Sequence, residues 1–218
     1  MDYICGCVNE KTKKEAMKSI ETAYQEGAAL VELRIDKLEE PNDAVAIIKS
    51  SKLPVIATCR RNPDIYGKEV KLLQDAIKAG VAYVDMDMET TSEEDYNKVA
   101  KTAKEKGCKV ICSYHDYEKT PAKEELEALV EKMNKKADIV KIVTSAENHE
   151  DCERVLDLIR ERTGGRIIAF CMGERYMQTR IHCVLCGAPW TYCKIKEETA
   201  PGQYSIDEAI TAIERTKE

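Results

Sequence analysis

The chain has 218 residues, 43% hydrophobic and 34% charged, with a formal net charge of −6. That apolar share excludes a disordered chain, and the acidity argues against a nucleic-acid or anionic-membrane partner, which would want a basic face. No apolar run approaches the roughly 18 residues of a membrane span, and the first residues lack a secretory signal's apolar core, so a cytoplasmic protein is expected. In chain order, short apolar runs rich in β-branched residues predict strands at Tyr3–Val8, Leu30–Ile35, Pro54–Cys59, Tyr83–Met88, Lys109–Tyr114, Ile139–Thr144, Arg166–Met172 and Trp190–Ile195. Near-continuous apolar character suits strands buried on both faces of a parallel sheet. Helical spacing fills the gaps: Ala16, Ile20 and Tyr24; Val70, Leu73 and Ile77; Leu126, Leu129 and Met133; Cys152, Val155, Leu158 and Ile159. Pro41 and Pro121 stand where a first helical turn begins, and Gly27, Gly80, Gly107 and Gly164 where helices end.

Eight strands, each followed by a helix, read as an α/β protein with a (β/α)8 barrel, one domain over residues 1–218. A doubly wound open sheet is the rival. It usually carries a Gly-rich turn after its first strand, and the turn after Val8 has no glycine. The ten cysteines would suggest a disulfide framework in a short secreted chain. Here Cys5, Cys7, Cys59, Cys112 and Cys171 fall inside apolar strands and read as reduced core thiols.

In such a barrel the chemistry sits at the C-terminal strand ends, and those ends are polar here. Lys141 is flanked by apolar residues in the sixth strand, and alternation puts it on one face with Ile139 and Val143. Burial and nearby cations would depress its pKa and leave an amine able to form a Schiff base. The alternative is a lysine whose charge snorkels to water. Glu32 and Arg34 share a face and could neutralise each other, as part of a site or as a structural plug. Arg60 could add positive field near Lys141 or stay a solvated rim residue. His115, at the tip of the fifth strand, suits proton transfer near neutral pH, or is a plain rim histidine. His149 and His182 fall in helices and read as surface or packing residues. Arg60, Arg61, Arg175 and Arg180 make the rim cationic, which implies an anionic small molecule. The Gly-poor turn after Met172 favours a carboxylate over a phosphate. Cys183 and Cys186 have CxxC spacing beside His182, with Cys193 near in sequence; the second pair a structural metal would want, Cys5 and Cys7, lies on a different element.

These motifs taken together resemble the type I 3-dehydroquinate dehydratase family. The match runs through Glu32-Leu-Arg34-Ile-Asp36, Thr58-Cys-Arg60, Tyr83-Val-Asp85, Ser113-Tyr-His115-Asp116 and Val140-Lys141-Ile142. It continues through Met172-Gly173, Arg180, Gly187, Thr191-Tyr192 and Ala200-Pro-Gly-Gln203. The resemblance implies the same barrel and a syn dehydration of 3-dehydroquinate to 3-dehydroshikimate, the third step of the shikimate pathway to aromatic amino acids. It also implies roles. Lys141 forms an imine with the C3 carbonyl. His115 takes the C2 proton and returns it to the leaving C1 hydroxyl, and Asp64 orients His115. Arg180 holds the substrate carboxylate. Glu32, Arg34, Arg60 and Gln203 fix the ring hydroxyls and carbonyl side, and Met172 packs on the ring. The loop from Thr199 to Gln203 closes as a lid. No cofactor, no metal, no nucleic acid and no membrane are involved, and family members are often homodimers.

The chain departs from the family pattern at three places. Asp64 stands where family members commonly carry a Glu, the turn between Gly173 and Arg180 lacks the usual Gly and Ser, and Thr199 replaces a common Ser. Two other readings compete: another Schiff-base lyase such as a class I aldolase, and a thiol-rich metal or redox barrel built on Cys183, Cys186 and Cys193.

Overall fold

The computed structural model describes residues 3–162 and 164–217, so residues 1, 2, 163 and 218 of the expected domain lie outside it. Its first half runs β1 (Ile4–Val8), α1 (Lys13–Gln25), β2 (Leu30–Arg34), α2 (Ala44–Ser50), β3 (Val55–Thr58), α3 (Glu69–Ala79), β4 (Tyr83–Asp87) and α4 (Glu93–Lys106). The second half runs β5 (Lys109–Asp116), α5 (Lys123–Asn134), β6 (Ile139–Ser145), α6 (His149–Arg160), β7 (Ile167–Met172), α7 (Thr179–Leu185), β8 (Thr191–Lys194) and α8 (Ile206–Lys217). All eight strands pair in parallel in the order β7-β6-β5-β4-β3-β2-β1-β8. The result is the expected (β/α)8 barrel, nearly closed. Its ladder ends at the junction of β7 and β8. There Phe170 and Tyr192 face each other with ring centroids 6.4 Å apart.

Helix ends follow local chemistry. Thr12, Ser92 and Asn148 cap α1, α4 and α6 by accepting a backbone N–H through their side-chain oxygens. Ser92 is followed by Glu93, Glu94 and Asp95, which suit the positive end of the helix dipole. Gly80 and Gly107 end α3 and α4 in the left-handed conformation that glycine adopts without penalty. The helical spacing of Ala16, Ile20 and Tyr24 falls within α1, which buries Ala16, Ser19, Ile20 and Ala23 and leaves Tyr24 49% exposed. The Tyr24 ring lies outside, 5.1 Å from the Lys52 ammonium.

Strand alternation divides the core in two. Val84 and Met86 on β4, Val110 and Cys112 on β5, and Val140 and Ile142 on β6 are all buried on one set of alternate positions. The other set faces the lumen. It holds Cys7, Glu32, Thr58, Lys141, Val143, Phe170 and Tyr192 around one cavity. The register lines these up: Cys7 beside Glu32, Arg34 beside Thr58, Ser113 beside Lys141, Val143 beside Phe170. The lumen is therefore apolar and packed low down, and polar toward the strand ends, where the site sits. All five strand cysteines are buried, and all ten thiols of the chain are free.

Candidate active site

A cavity of about 120 Å³ opens at the C-terminal strand ends, lined by Glu32, Arg34, Arg60, His115, Lys141, Met172, Arg180, Thr199 and Gln203 among others. Nine of the ten sequence-derived candidates thus meet in one place. Asp64 does not. It is exposed on the turn Pro63–Ile65 and borders a separate surface groove of about 480 Å³ with Lys11, Lys37 and Lys68.

Lys141 forms the floor of the cavity. It is only 6% exposed. Its Nζ lies 3.2 Å from Asp85 Oδ2, 3.6 Å from Glu32 Oε1 and 4.1 Å from the centre of the Tyr192 ring. Burial pulls the ammonium pKa down, but Asp85 and Glu32 outweigh it and hold the group above its ordinary value. The depressed pKa expected from the sequence is thus reversed, because two buried carboxylates reach the same nitrogen. A buried charge persists only with such partners.

The carboxylates are not paired as alternation alone suggested. Arg34 binds Asp36 through two parallel hydrogen bonds of 3.0 and 2.7 Å. Glu32 instead accepts from Thr58 Oγ1 at 2.8 Å and turns toward Lys141. The Glu32–Arg34 self-neutralising pair is therefore absent. Arg60 reaches across to Asp85 Oδ1 at 2.8 Å and to Ser113 Oγ at 3.1 Å. Ser113 also donates to Asp85 at 2.6 Å. Burial would raise the Asp85 carboxyl, yet Arg60 and Lys141 hold it well below the usual carboxylate range.

His115 stands at the cavity wall, and its Nδ1 is 3.2 Å from Asp87 Oδ2. Asp87 is itself fixed, since its Oδ1 accepts from the backbone N–H groups of Glu89 and Thr90 and from the Thr90 hydroxyl. Burial would raise Asp87, but the His115 hydrogen bond and the Arg60 charge bring it down to about 2. An ionised carboxylate can only accept, so His115 Nδ1 carries the proton and Nε2 keeps its lone pair. Burial lowers the His115 pKa below its ordinary 6.5; Asp87 resists the fall, and the Arg60 and Lys141 charges add to it. Asp87 thus occupies the place expected for Asp64. Asp64 projects to solvent from a turn whose backbone Asn62 caps, beyond β3. Strand alternation held the missing signal: Asp85 and Asp87 lie two apart on β4 and so share the lumen face.

Arg180 is the opposite kind of residue. It is 2% exposed, its Nε is buried without a hydrogen-bond partner among the described residues, and its Nη2 donates to the Pro201 carbonyl at 3.3 Å. Its guanidinium lies 4.5 Å above the Phe170 ring. Burial lowers its pKa, outweighing the nearby thiols and Glu198, which act the other way. A buried, unneutralised guanidinium on a cavity wall is a ready site for a planar anion. Phe170, Val143 and Met172 supply the apolar wall beside it. Tyr117, missed by sequence reasoning, is 76% exposed at the mouth and stacks on His115 with centroids 6.2 Å apart.

The loop after β8 folds over this wall. Gln203 Oε1 accepts from the Thr199 N–H at 2.7 Å, the Thr199 hydroxyl at 2.9 Å and the Ala200 N–H at 3.3 Å. Gln203 Nε2 reaches down to Cys7 Sγ at 3.3 Å. The Gly173 N–H donates to the Pro201 carbonyl at 3.2 Å. Gly202 has φ +75°, and a Cβ there would stand 2.5 Å from the Gly173 carbonyl oxygen. Gly202→Ala should therefore displace the loop. We expect kcat/KM to fall about tenfold, the rate equivalent of roughly 1.4 kcal/mol, with a melting temperature within a few degrees of native. Steady-state kinetics beside a thermal melt checks both.

The remaining motifs stay outside the cavity. His149 packs edge-on against Tyr176. On α7, Cys183 is buried and its thiol donates to the Arg180 carbonyl. Among the described residues no group of three or more His, Cys, Asp or Glu side chains could hold a metal ion, and no helix is long and apolar enough to cross a membrane.

Comparison with known proteins agrees along the whole chain. The family described as Type I 3-dehydroquinase matches residues 4–217. A protein of Methanocaldococcus jannaschii named 3-dehydroquinate dehydratase is 38% identical over 94% of each chain. One of Methanopyrus kandleri with the same name is 30% identical over 97% of this chain and 98% of its own. The crystal structure of 3-dehydroquinate dehydratase from Geobacillus kaustophilus superposes with a TM-score of 0.87 at 21% identity, covering 100% of this chain and 91% of that one. The type I enzyme from Clostridium difficile gives 0.85 at 24% identity, covering 99% and 92%; at these identities the likeness establishes the fold alone. With a barrel, a buried lysine and a family match that all span the same chain, the protein belongs to the type I 3-dehydroquinase family.

Proposed function

We propose that the chain dehydrates 3-dehydroquinate to 3-dehydroshikimate in the shikimate pathway, through an imine on Lys141. One observation carries the assignment of residues: a buried amine forms the floor of a cavity that also presents His115 and an unneutralised Arg180. Arg180 takes the substrate carboxylate, and that contact orients the ring above Lys141. Arg34, Arg60, Glu32 and Gln203 fix the hydroxyls and the carbonyl side, and Met172 packs on the ring.

Lys141 rests as an ammonium, so it first passes one proton to His115 Nε2. The freed amine adds to the C3 ketone, that proton and one more from the nitrogen leave with the carbonyl oxygen as water, and the nitrogen is left as a protonated imine. The imine draws electrons from C2. His115 Nε2 removes the C2 proton to give an enamine, then delivers it to the C1 hydroxyl, which leaves as water. One base on one face can do both steps, which is why the elimination is syn. Asp87 keeps Nδ1 protonated throughout, so Nε2 is the nitrogen that works. Thr199 and Gln203 hold the loop shut and keep bulk water off the imine.

Borohydride with 3-dehydroquinate or 3-dehydroshikimate should add one reduced ligand to the protein, and peptide mapping should place it on Lys141. An unchanged intact mass, or a label on another lysine, contradicts the proposal. A cytoplasmic location belongs to the same reading and is supported by ten free thiols, which suit a reducing compartment. A homodimer, expected from the resemblance, is tested by light scattering.

A further inference from the structure

Lys141 has two carboxylate neighbours, and they are not equivalent. Glu32 lines the cavity and meets whatever enters it. Asp85 is fully buried and is not among the lining residues. It approaches Lys141 Nζ at 3.2 Å through Oδ2, while Oδ1 is fixed by Arg60 at 2.8 Å and Ser113 at 2.6 Å. A carbonyl carbon arriving from the cavity can bond to Nζ without displacing Asp85. The nitrogen then keeps its contact with Asp85 on the far side from the ligand.

The charge count makes that contact matter. An ammonium and a ketone become a protonated imine and one water. Three N–H protons become one, and the other two leave with the carbonyl oxygen. The nitrogen is positive before and after. When the C2 proton moves to His115 the nitrogen becomes neutral, and the positive charge passes to an imidazolium held by Asp87. When the C1 hydroxyl leaves with that proton, the charge returns to the nitrogen.

We propose that Asp85 is the fixed counter-ion of the protonated imine on Lys141, with Asp87 serving His115 in the alternate state. The proposal rests on the imine reading above and adds a residue to it. Asp85 touches the reacting nitrogen and holds it charged, and the charged form is the one that acts as an electron sink. Other groups face the same nitrogen. Glu32 at 3.6 Å also favours the charge, Arg60 opposes it, and the Tyr192 face at 4.1 Å favours it weakly. Asp85 is the nearest of the carboxylates.

Cyanoborohydride reduces protonated imines and spares neutral ones, so the pH dependence of trapping reads the charge on the imine. With native protein and 3-dehydroshikimate, the adduct should map to Lys141 and form well into the alkaline range. In Asp85→Asn the alkaline midpoint of trapping should fall by about 1–3 pH units, the shift an adjacent opposite charge produces. Ser113→Ala removes a hydrogen bond and leaves the carboxylate, so its midpoint should stay at the native value. If native protein gives no adduct on Lys141, the imine reading itself fails. If native protein is trapped there and Asp85→Asn keeps the native midpoint, the counter-ion proposal alone is overturned. Should Asp85→Asn fail to fold by circular dichroism, Asp85→Glu carries the test. It retains the charge and should keep a midpoint within half a unit of native; a drop of a full unit overturns the proposal.

Discussion

Lys141→Met should abolish the borohydride adduct and reduce turnover by more than about 10⁴-fold. Its loss removes both the covalent attachment and the electron sink, so the effect should exceed the roughly 10²–10⁴-fold that general acid–base help supplies. Methionine is chosen because it fills similar space without a charge. Breaking a buried ion pair commonly costs about 3–5 kcal/mol. Here the two carboxylates left behind each keep a partner: Asp85 retains Arg60 and Ser113, and Glu32 retains Thr58. The variant should therefore lose less than that and stay folded. Intact mass after borohydride, steady-state rates and a thermal melt together decide the matter. A folded Lys141→Met protein with substantial turnover contradicts the mechanism.

His115→Ala should lower kcat by about 10²–10⁴-fold while still forming some adduct with 3-dehydroshikimate, because Lys141 remains. The pH profile gives an independent reading. The base must be neutral to act, and its pKa lies below the ordinary 6.5 because of burial and the neighbouring cations. Native kcat/KM should thus hold level through neutral pH and fall only on the acid side of 6.5. In Asp87→Asn the carboxylate that favours protonated His115 is gone, so the acid limb should move to still lower pH. The level itself should drop, since an amide can hold either tautomer of the ring. Asp64→Ala should cost much less than Asp87→Asn. The reverse order would restore Asp64 as the residue that orients His115.

The barrel itself was legible because each strand writes its burial into two-residue alternation and each crossover into helical spacing. Lys141 stood out for the same reason, as a charge where alternation demanded a buried side chain. Arg180, Met172, Thr199 and Gln203 were found through ordered motifs, and the structure brings them to one cavity. What alternation did not convey was who pairs with whom. Arg34 binds Asp36 on its own strand's continuation, and Glu32 turns to the neighbouring Thr58. That choice depends on stagger between strands, which a single strand's pattern does not contain. His115 meets Asp87 because Ser113, two residues before it, sits beside Asp87 in the β4–β5 register. The charge state of Lys141 was misjudged for the same reason: Asp85 arrives from a strand that is distant in sequence.

The junction of β7 and β8 has a mechanical consequence. Elsewhere around the ring, neighbouring strands are tied by backbone hydrogen bonds, and the lumen can widen only if a ladder breaks. At the β7–β8 junction no backbone ladder is formed among the described residues; Phe170 and Tyr192 meet across it, and the Gly173 N–H donates to the Pro201 carbonyl above them. Arg180 rests on Phe170, Lys141 rests on Tyr192, and the loop that follows β8 closes above both. The side of the barrel without a ladder is thus the side where the proposed carboxylate site at Arg180 lies, while β2 to β6 bear the ionised network and are joined strand to strand by backbone hydrogen bonds. On the proposed reading, a bulkier substituent beside the ligand's carboxylate should therefore be tolerated better than one directed at Asp85, which competition binding of the two analogues checks.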